Sequence, residues 1–444
     1  MISVLANRTY RHLFFAQVIA LFGTGLMTVA LALLAYDLAG DNAGAVLGTA
    51  LAIKMIVYVF LSPVAAGFAG RFPRRTFLVI LDLVRAGTAL ALPFVDAVWQ
   101  VYVLIALLQS ASAAFTPTFQ ATIPDILPDE EDYTSALSLS RMAYDLENLL
   151  SPMIAALLIG LVGFQWLFGG TVAGFLVSAA LVLSVALPGV RSSGTEAPFR
   201  RTLKGLAIYL KTPRLKGLLA LNLAVAASGA TVIVNGVVVV KSVLGLSDTD
   251  LALSMAAYGA GSMLTAMLLP GVLRARPDRT IMLAGAALLP LCLLVFSAAM
   301  ILLPRSALWP MVLAIWFFMG AGMSAVLVPS GRLLKTSAHS DDRPLVFAAQ
   351  FALSHGCWLI AYPLAGWMGS TAPLPATSAT LAVLAIAGVL AAGRFWPQGD
   401  RKILEHEHPD LPPDHPHLAE AHGKRHAHAF VIDSLHPSWP DRRP

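Results

Sequence analysis

Charged residues are scarce in this sequence: Asp, Glu, Lys and Arg make up 12% of the 444 residues, whereas 57% are hydrophobic. The mean hydropathy is +0.73. A soluble body of this length needs more polar surface than that to be covered in water. The composition therefore excludes a soluble globular protein and predicts an integral membrane protein, with lipid as its main partner.

Cysteine is almost absent as well, since only Cys292 and Cys357 occur and each lies in an apolar run. This excludes a disulfide framework and a C-x-x-C metal or redox site. The sequence also lacks the G-x-x-x-x-G-K-[ST] motif of phosphate-binding loops, so nucleotide hydrolysis by such a loop is excluded as an energy source. We expect neither an enzymatic activity nor a resident cofactor.

Long apolar segments dominate the sequence, and twelve of them are long enough to cross a bilayer as helices of about 20 residues. The predicted spans are 12–38, 45–69, 76–95, 98–121, 135–161, 165–188, 215–240, 250–272, 280–303, 309–330, 344–368 and 374–396. The longest interior polar stretch, 188–214, divides them into two sets of six. The predicted units are a first bundle 1–190, a loop 191–214, a second bundle 215–396 and a tail 397–444, with a surface helix near 199–210.

Basic residues test this count because Lys and Arg collect in cytoplasmic segments of membrane proteins. With the N-terminus placed in the cytoplasm, only Lys241 and Arg305 fall in outer segments. Lys54, Arg85 and Arg141 lie inside spans, and the other basic residues lie in cytoplasmic segments or at the cytoplasmic ends of spans. The net charge of +5 is therefore an orientation signal, and we expect no nucleic-acid partner. Both termini are predicted to be cytoplasmic, in the inner membrane of a bacterium.

Several motifs accompany the twelve spans: Gly67–Arg75 between spans 2 and 3, Asp82-Leu-Val-Arg85, Phe115–Asp125 and Ser151-Pro152. Together they resemble the major facilitator superfamily, and specifically its branch of siderophore and macrolide exporters. The resemblance implies an all-α fold of two pseudo-symmetric six-helix bundles that rock about a substrate site near the midplane. It also implies gating roles for Arg71, Arg74, Arg75, Asp82 and Arg85.

The Gly67–Arg75 loop departs from the superfamily pattern, because Gly70 stands where an aspartate is usual and Pro73 where a glycine is common. The interhelix charge lock that the family builds from that aspartate is therefore not expected to form in the usual way. Gly271–Arg279 repeats the pattern more weakly in the second half.

The fifth span carries charged residues, which are energetically costly within a membrane and are therefore candidates for a function. Arg141, Asp145 and Asn148 share one helix face, whereas Glu147 lies about 200° from Asp145. Arg141 is placed to neutralise Asp145 but not Glu147, so both carboxylates are candidate proton carriers or cation ligands. The alternative is that the span begins later, which leaves Arg141 and Asp145 in the preceding acidic loop.

The eleventh span is interrupted by four polar or sulfur-bearing side chains that suit a borderline metal ion. They are Gln350, Ser354, His355 and Cys357. The alternative is that His355, the only histidine deep in a span, forms a hydrogen bond within the helix packing. Asn222 and Asn235 in the seventh span are candidate cavity residues, or partners in packing hydrogen bonds. Lys54 in the second span needs a carboxylate, and the sequence leaves Asp37 and Glu147 open.

Histidine is concentrated behind the last span, often with H-x-H spacing that presents two imidazoles to one ion. The residues are His406, His408, His415, His417, His422, His426, His428 and His436. The composition of 397–444 predicts a disordered arm that gathers metal at the inner mouth, or alternatively a tail whose histidines are incidental.

With this tail, the whole chain resembles the nickel-resistance exporters of that superfamily branch. We therefore predict export of Ni²⁺, with Co²⁺ as a second candidate, by proton antiport through a monomer. One alternative is a proton-coupled exporter of an organic compound such as a drug, macrolide or siderophore. Another is a membrane-anchored metal sensor.

Overall fold

The computed structural model describes residues 2–39, 43–69, 71–188, 198–399, 403–407 and 425–440. Helices dominate these ranges. In the first half of the chain the six long helices are α1 (Arg8–Ala39), α2 (Ala43–Ala69), α3 (Arg74–Ala91), α4 (Val98–Ile126), α5 (Glu130–Val162) and α6 (Gln165–Leu183). Short 3-10 turns precede α1 at Ile2–Ala6 and follow α3 at Leu92–Phe94.

A short amphipathic helix, α7 (Pro198–Lys211), leads into the second half and packs on α2 and α12. It lies where the sequence predicts a surface helix, near 199–210. The second half contains α8 (Pro213–Ala230), α9 (Asp248–Ala275), α10 (Asp278–Leu302), α11 (Arg305–Thr336), α12 (Arg343–Thr371) and α13 (Leu374–Phe395). The chain extends α8 through π-helical turns at Thr231–Asn235 and Val238–Val243.

Twelve long helices in two sets of six confirm the predicted all-α membrane fold over the described part of the chain. Eleven of them are long and apolar enough, by length and composition, to span a membrane. The exception is α5, whose middle carries Arg141, Asp145 and Glu147. At 33 residues it is nevertheless long enough to span.

Each half packs mainly within itself, for example α1 on α6 and α2 on α4, or α8 on α13 and α10 on α11. The two halves meet chiefly where α5 packs on α9 and where α2 packs on α12. These interhelix contacts matter because α2, α5 and α12 carry the charged and polar residues predicted within spans. The fold therefore brings those residues to the boundary between the halves.

Glycine allows α9 and α11 to approach until their backbones touch. A Cβ atom on Gly261 would lie 1.9 Å from the carbonyl oxygen of Phe317, and one on Gly320 would lie 1.9 Å from that of Tyr258. No side chain fits at either position without separating the helices. Ser262, which follows Gly261, is fully buried and faces α5.

The tail differs from its prediction. Residues 403–407 and 425–429 form two antiparallel strands, β1 and β2, and Phe430 and Ile432 are buried in the apolar core of the second half. The prediction of a disordered tail is wrong for these ranges. The physical reason is a local run of apolar residues, Phe430-Val431-Ile432, which is buried against the rest of the protein. The composition of the whole tail concealed this short run.

Candidate functional site

Asp145 lies near the middle of α5 with 4% of its surface exposed, where α5 packs against α9. One carboxylate oxygen pairs with Nη2 of Arg141 at 2.6 Å, as the i,i+4 spacing predicts. Arg141 in turn donates from Nε to the Ser262 hydroxyl at 2.9 Å. The charge pair is therefore shared between the two halves of the molecule.

The second oxygen of Asp145, Oδ2, is buried without a hydrogen-bond partner among the described residues. Such an oxygen is costly because it loses its hydration on burial and gains no hydrogen bond in exchange. The thioether of Met323 lies 3.9 Å from Nη2 of Arg141 and also accepts a hydrogen bond from Tyr258. A soft sulfur and an unsatisfied carboxylate oxygen therefore flank the same guanidinium.

Glu147 faces away from Arg141, as its helical position predicts, and lies beside Gly25 of α1 and Ser151 of α5. Lys54 of α2 is the charged group that acts electrostatically on it, whereas Asp37 is exposed on α1. Of the two partners left open for Lys54, Glu147 is within electrostatic reach, but no direct ion pair joins the two among the described residues. Two carboxylates near the middle of α5 are thus each accompanied by a cationic side chain.

His355 lies near the middle of α12, at the contact with α2. Its Nδ1 donates to the carbonyl oxygen of Phe351 at 2.7 Å, and its ring packs edge-on against Tyr58 with centroids 4.8 Å apart. Tyr58 donates to Oε1 of Gln109 at 2.8 Å, and Lys54 also acts electrostatically on His355. Because Nδ1 carries the proton in this bond, Nε2 is the ring nitrogen with an available lone pair.

The other candidate donors of α12 do not all face His355 in this conformation, and a metal contact here stays a prediction. Gln350 accepts a hydrogen bond from Tyr209 of the surface helix α7, and Ser354 bonds to the carbonyl oxygen of Phe351. Cys357 is buried against α8, with Sγ 3.9 Å from the carbonyl oxygen of Leu219. The physical reason is the helical period, which turns positions 355 and 357 about 200° apart.

The asparagines behave mainly as packing residues. Asn222 is buried and bonds to the carbonyl oxygen of Leu218 in its own helix at 2.9 Å. Asn235 is buried against Gly369 of α12, and its Nδ2 has no hydrogen-bond partner among the described residues. Asn148 lies in α5, but its side chain falls outside the described part of the structure.

Within the described ranges, no group of three or more His, Cys, Asp and Glu side chains is close enough to hold a metal ion. Asp145, Glu147 and His355 are thus separate donors in this conformation. Cationic side chains, Arg141 and Lys54, stand beside them instead.

Ion pairs join the two halves at one end of the helices, where the loops 71–73, 127–129, 276–277 and 337–342 lie. We call this the basic end. Asp125 of α4 pairs with Arg74 of α3 at 2.5 Å and with Arg343 of α12 at 2.6 Å. The pairs Glu130–Arg332 at 2.5 Å and Glu131–Arg274 at 2.8 Å, each from α5 to the second half, stand beside it.

These pairs lie at the end of the helices where the Gly67–Arg75 loop is expected to depart from the family's charge lock. Arg74, a predicted gating residue, takes part through Asp125. The sequence marks Asp125 only as the end of a motif. Its role depends on arginines that lie 51 and 218 residues away in the chain, so local sequence does not predict it. Arg75 is exposed, and Arg71 lies over the ring of Phe68 at 5.3 Å.

Asp82 and Arg85 form the predicted pair, buried inside the first half. Ser178 of α6 donates to Asp82 at 2.8 Å, and the guanidinium lies over the rings of Phe115 and Phe175 at 4.0 and 4.5 Å. The pair therefore links α3 to α4 and α6 and stabilises the packing within the first bundle. A role in gating stays a prediction.

Most tail histidines belong to segments or side chains outside the described part of the structure. His408, His415, His417 and His422 lie outside the described residues, as do the side chains of His406, His426 and His428. The backbone register of β1 and β2 sets position 406 opposite position 426. His436 is buried at 3% exposure, and its Nδ1 lies 2.8 Å from Oδ1 of Asp433.

Residues 430–440 dock on the basic end of the second half. Asp433 also lies 3.2 Å from Nε2 of His339 in the α11–α12 loop, and Lys211 of α7 donates to the carbonyl oxygen of Pro437 at 2.9 Å. The ring of Trp439 lies under the Arg214 guanidinium, 5.3 Å away. One carboxylate therefore connects the tail to the loop between two long helices.

This docking is expected to weaken as the pH rises. The hydrogen bond to Asp433 raises the pKa of His339 above 6.5, so its contribution is complete below pH 6.5 and is lost as the pH rises through the raised pKa. Burial opposes ionisation of Asp433, but bonds from His339 and His436 lower its pKa, so its contribution is lost only in acid below 3.8.

Hydrogen exchange of the amides in 430–440 measures the docking. We expect faster exchange at pH 8 than at pH 6 beyond the intrinsic dependence, and an Asp433→Asn variant that exchanges fast at both. His12→Gln, which changes an imidazole elsewhere, serves as the control. Protection in Asp433→Asn equal to that of the unmodified chain would show that the ion pair does not hold the segment.

Known proteins with the same architecture resemble this chain. The Major Facilitator Superfamily model matches residues 13–291 and 218–427. The chain is 25% identical over 296 residues to "Uncharacterized MFS-type transporter YfiS" of Bacillus subtilis, covering 66% of this chain and 70% of that protein. It is 26% identical over 190 residues to "Macrolide efflux protein A" of Enterococcus faecalis, covering 40% of this chain and 58% of the relative.

Among solved structures, a bacterial homologue of the iron transporter ferroportin in an outward-facing state superposes with a TM-score of 0.70. The match covers 87% of this chain and 98% of that one at 14% identity. At this identity the likeness concerns the fold.

Proposed function

Since the chain belongs to the Major Facilitator Superfamily and is a multi-pass membrane transporter, we propose that it exports a divalent transition-metal cation in exchange for protons. Ni²⁺ is the first candidate cargo and Co²⁺ the second. The proposed location is the bacterial inner membrane, with both termini and the basic end in the cytoplasm. The working unit in this proposal is a monomer.

The observation that carries the proposal is the placement of acidic groups beside internal cations between the halves. Asp145 keeps an unsatisfied buried oxygen beside Arg141, and Glu147 is accompanied by Lys54. Carboxylates at membrane depth are expensive and are retained mainly where ions or protons pass. In this proposal the guanidinium and the ammonium occupy the position that a cationic cargo takes in another conformation.

Exchange then follows from charge balance. When a divalent cation enters from the basic end, it binds the carboxylates and displaces the two side-chain cations from them. When the opposite end opens, protons from outside neutralise the carboxylates and release the cation. When the basic end opens again, the carboxylates release these protons to the cytoplasmic side and can bind the next cation. Nε2 of His355, next to Lys54, supplies a nitrogen donor on the facing half.

In such a cycle the basic end is closed while the opposite end is open to the outside. The ion pairs at the basic end are consistent with that state. Asp125, Glu130 and Glu131 hold the halves together there, so access from the predicted cytoplasmic side requires these ion pairs to separate. The tail histidines gather metal near this mouth in the proposal. A docked 430–440 segment would keep them there by tethering, which raises the local concentration.

Radiotracer accumulation tests the cargo. Cells that express the chain should hold less ⁶³Ni²⁺ than cells with an empty vector, and deletion of 398–444 should weaken this effect without abolishing it. Expression without any change in nickel content would contradict metal export and would favour the membrane-anchored sensor.

Export of an organic compound is the second candidate, favoured by the likeness to the macrolide efflux protein and by an aromatic contact between the halves. The rings of Phe351, His355 and Tyr58 pack there in tilted and edge-on contacts, with centroids 4.2 to 4.8 Å apart. This candidate predicts raised tolerance of macrolides with unchanged nickel content. The same cell lines therefore separate the two functions.

A further inference from the structure

A cavity of about 690 Å³ opens at the basic end of the second half, between the ends of α8, α9, α10, α11 and α13. Five arginines line it: Arg214, Arg274, Arg276, Arg279 and Arg332. Among the described residues that line it, Asp278 is the one acidic residue. This concentration of guanidinium groups has no role in the cation pathway proposed above.

The arginines are only partly neutralised by neighbouring groups. Arg332 pairs with Glu130 and Asp278, and Arg274 pairs with Glu131. Arg279 donates from Nε to a neutral oxygen, the carbonyl oxygen of Trp396, at 2.8 Å. The guanidinium of Arg276 is exposed and has no partner among the described residues. The cavity thus keeps an excess of positive charge.

The start of α10 adds to this field. The helix begins at Asp278, its N-cap Pro277 supplies no capping side chain, and Arg279 and Thr280 of its first turn line the cavity. The helix dipole places partial positive charge there. Planar guanidinium groups bind phosphate oxygens in pairs, which makes phosphate the anion that this set of donors fits best.

We propose that this cavity binds the phosphate group of an anionic ligand. It lies at the ends of spanning helices, the level at which phospholipid headgroups meet the protein, so the phosphate comes either from an acidic lipid or from a soluble phosphate compound. Because Arg274 and Arg332 are shared with Glu131 and Glu130, the phosphate competes with the ion pairs that close the basic end.

Thermal stability of the purified full-length chain tests the binding, because a ligand of the folded state raises Tm. One arm adds inorganic phosphate to protein in detergent, against chloride at matched ionic strength. The other compares nanodiscs of phosphatidylcholine with and without phosphatidylglycerol. Stabilisation in both arms indicates a soluble phosphate site, and stabilisation only by phosphatidylglycerol indicates a lipid headgroup site.

Variants locate the effect. Arg276→Gln, which breaks no internal contact, and Arg276→Gln with Arg279→Gln are expected to weaken binding, the double variant by about tenfold or more. Arg200→Gln, an exposed arginine on α7 outside the cavity, should bind as the unmodified chain does. Glu130→Gln with Glu131→Gln should bind more tightly, since it releases two arginines.

The proposal is overturned if neither arm stabilises the unmodified chain. It is equally overturned if Arg200→Gln loses as much binding as Arg276→Gln, because the effect would then be general surface charge. An affinity that does not rise in the Glu130 and Glu131 variant would contradict the sharing of Arg332 and Arg274.

Discussion

Glu147→Gln is expected to abolish cation export driven by a pH gradient. The amide keeps the size of the side chain but cannot take up a proton or carry the negative charge that a divalent cation needs. We expect the apparent affinity for Ni²⁺ to fall by at least about tenfold. The measurement is ⁶³Ni²⁺ uptake into inside-out vesicles with an imposed pH gradient.

Asp37→Asn is the matched control, because it makes the same chemical change at an exposed position of α1. It should leave uptake unchanged. Full gradient-driven uptake by Glu147→Gln would show that this carboxylate is structural.

Lys54→Met separates the site from a merely structural ion pair. If Lys54 stands in for the cargo beside Glu147, its removal takes away a competing cation, and the affinity for Ni²⁺ should rise rather than fall. A structural pair would instead make both single variants lose activity together with thermal stability. Opposite effects of the two substitutions on affinity therefore support the cation site.

Gly261→Ala is expected to destabilise the protein by about 2–4 kcal/mol, a large effect for one methyl group. Its Cβ would lie 1.9 Å from the carbonyl oxygen of Phe317, so α9 and α11 must separate. Ser262 would move with α9 and weaken the bond from Arg141, which also lowers transport. Thermal unfolding in detergent measures the loss.

Gly259→Ala is the control two residues away, since a Cβ there meets nothing within 4 Å. Its Tm should match that of the unmodified chain, or rise slightly as a helical glycine is replaced by alanine. Equal melting temperatures for Gly261→Ala and Gly259→Ala would mean that the two helices are not in backbone contact.

The helices could be predicted from the sequence because length and apolarity are local properties. Twelve apolar runs predicted twelve long helices, and the polar spacing in α5 predicted the Arg141–Asp145 pair. Helical geometry also placed Glu147 on a different face from Arg141. All of these depend on residues within one helix.

Contacts between distant segments could not be predicted in the same way. Asp125 meets arginines of α3 and α12, and Gln350 meets Tyr209 of α7, because the packing of the halves decides which faces oppose each other. The average composition of the tail predicts disorder and does not reveal that Phe430 and Ile432 are buried. A short apolar run inside a polar segment was the available signal.

The central claim is that protons entering from one side drive a divalent cation to the other through the acidic residues of α5. Inside-out vesicles that contain the unmodified chain test it most directly, with ⁶³Ni²⁺ outside and the vesicle lumen made acidic. The account predicts rapid uptake that stops when an ionophore collapses the pH gradient, together with alkalinisation of the lumen. Nickel uptake that is indifferent to the gradient, or no uptake at all, would contradict it.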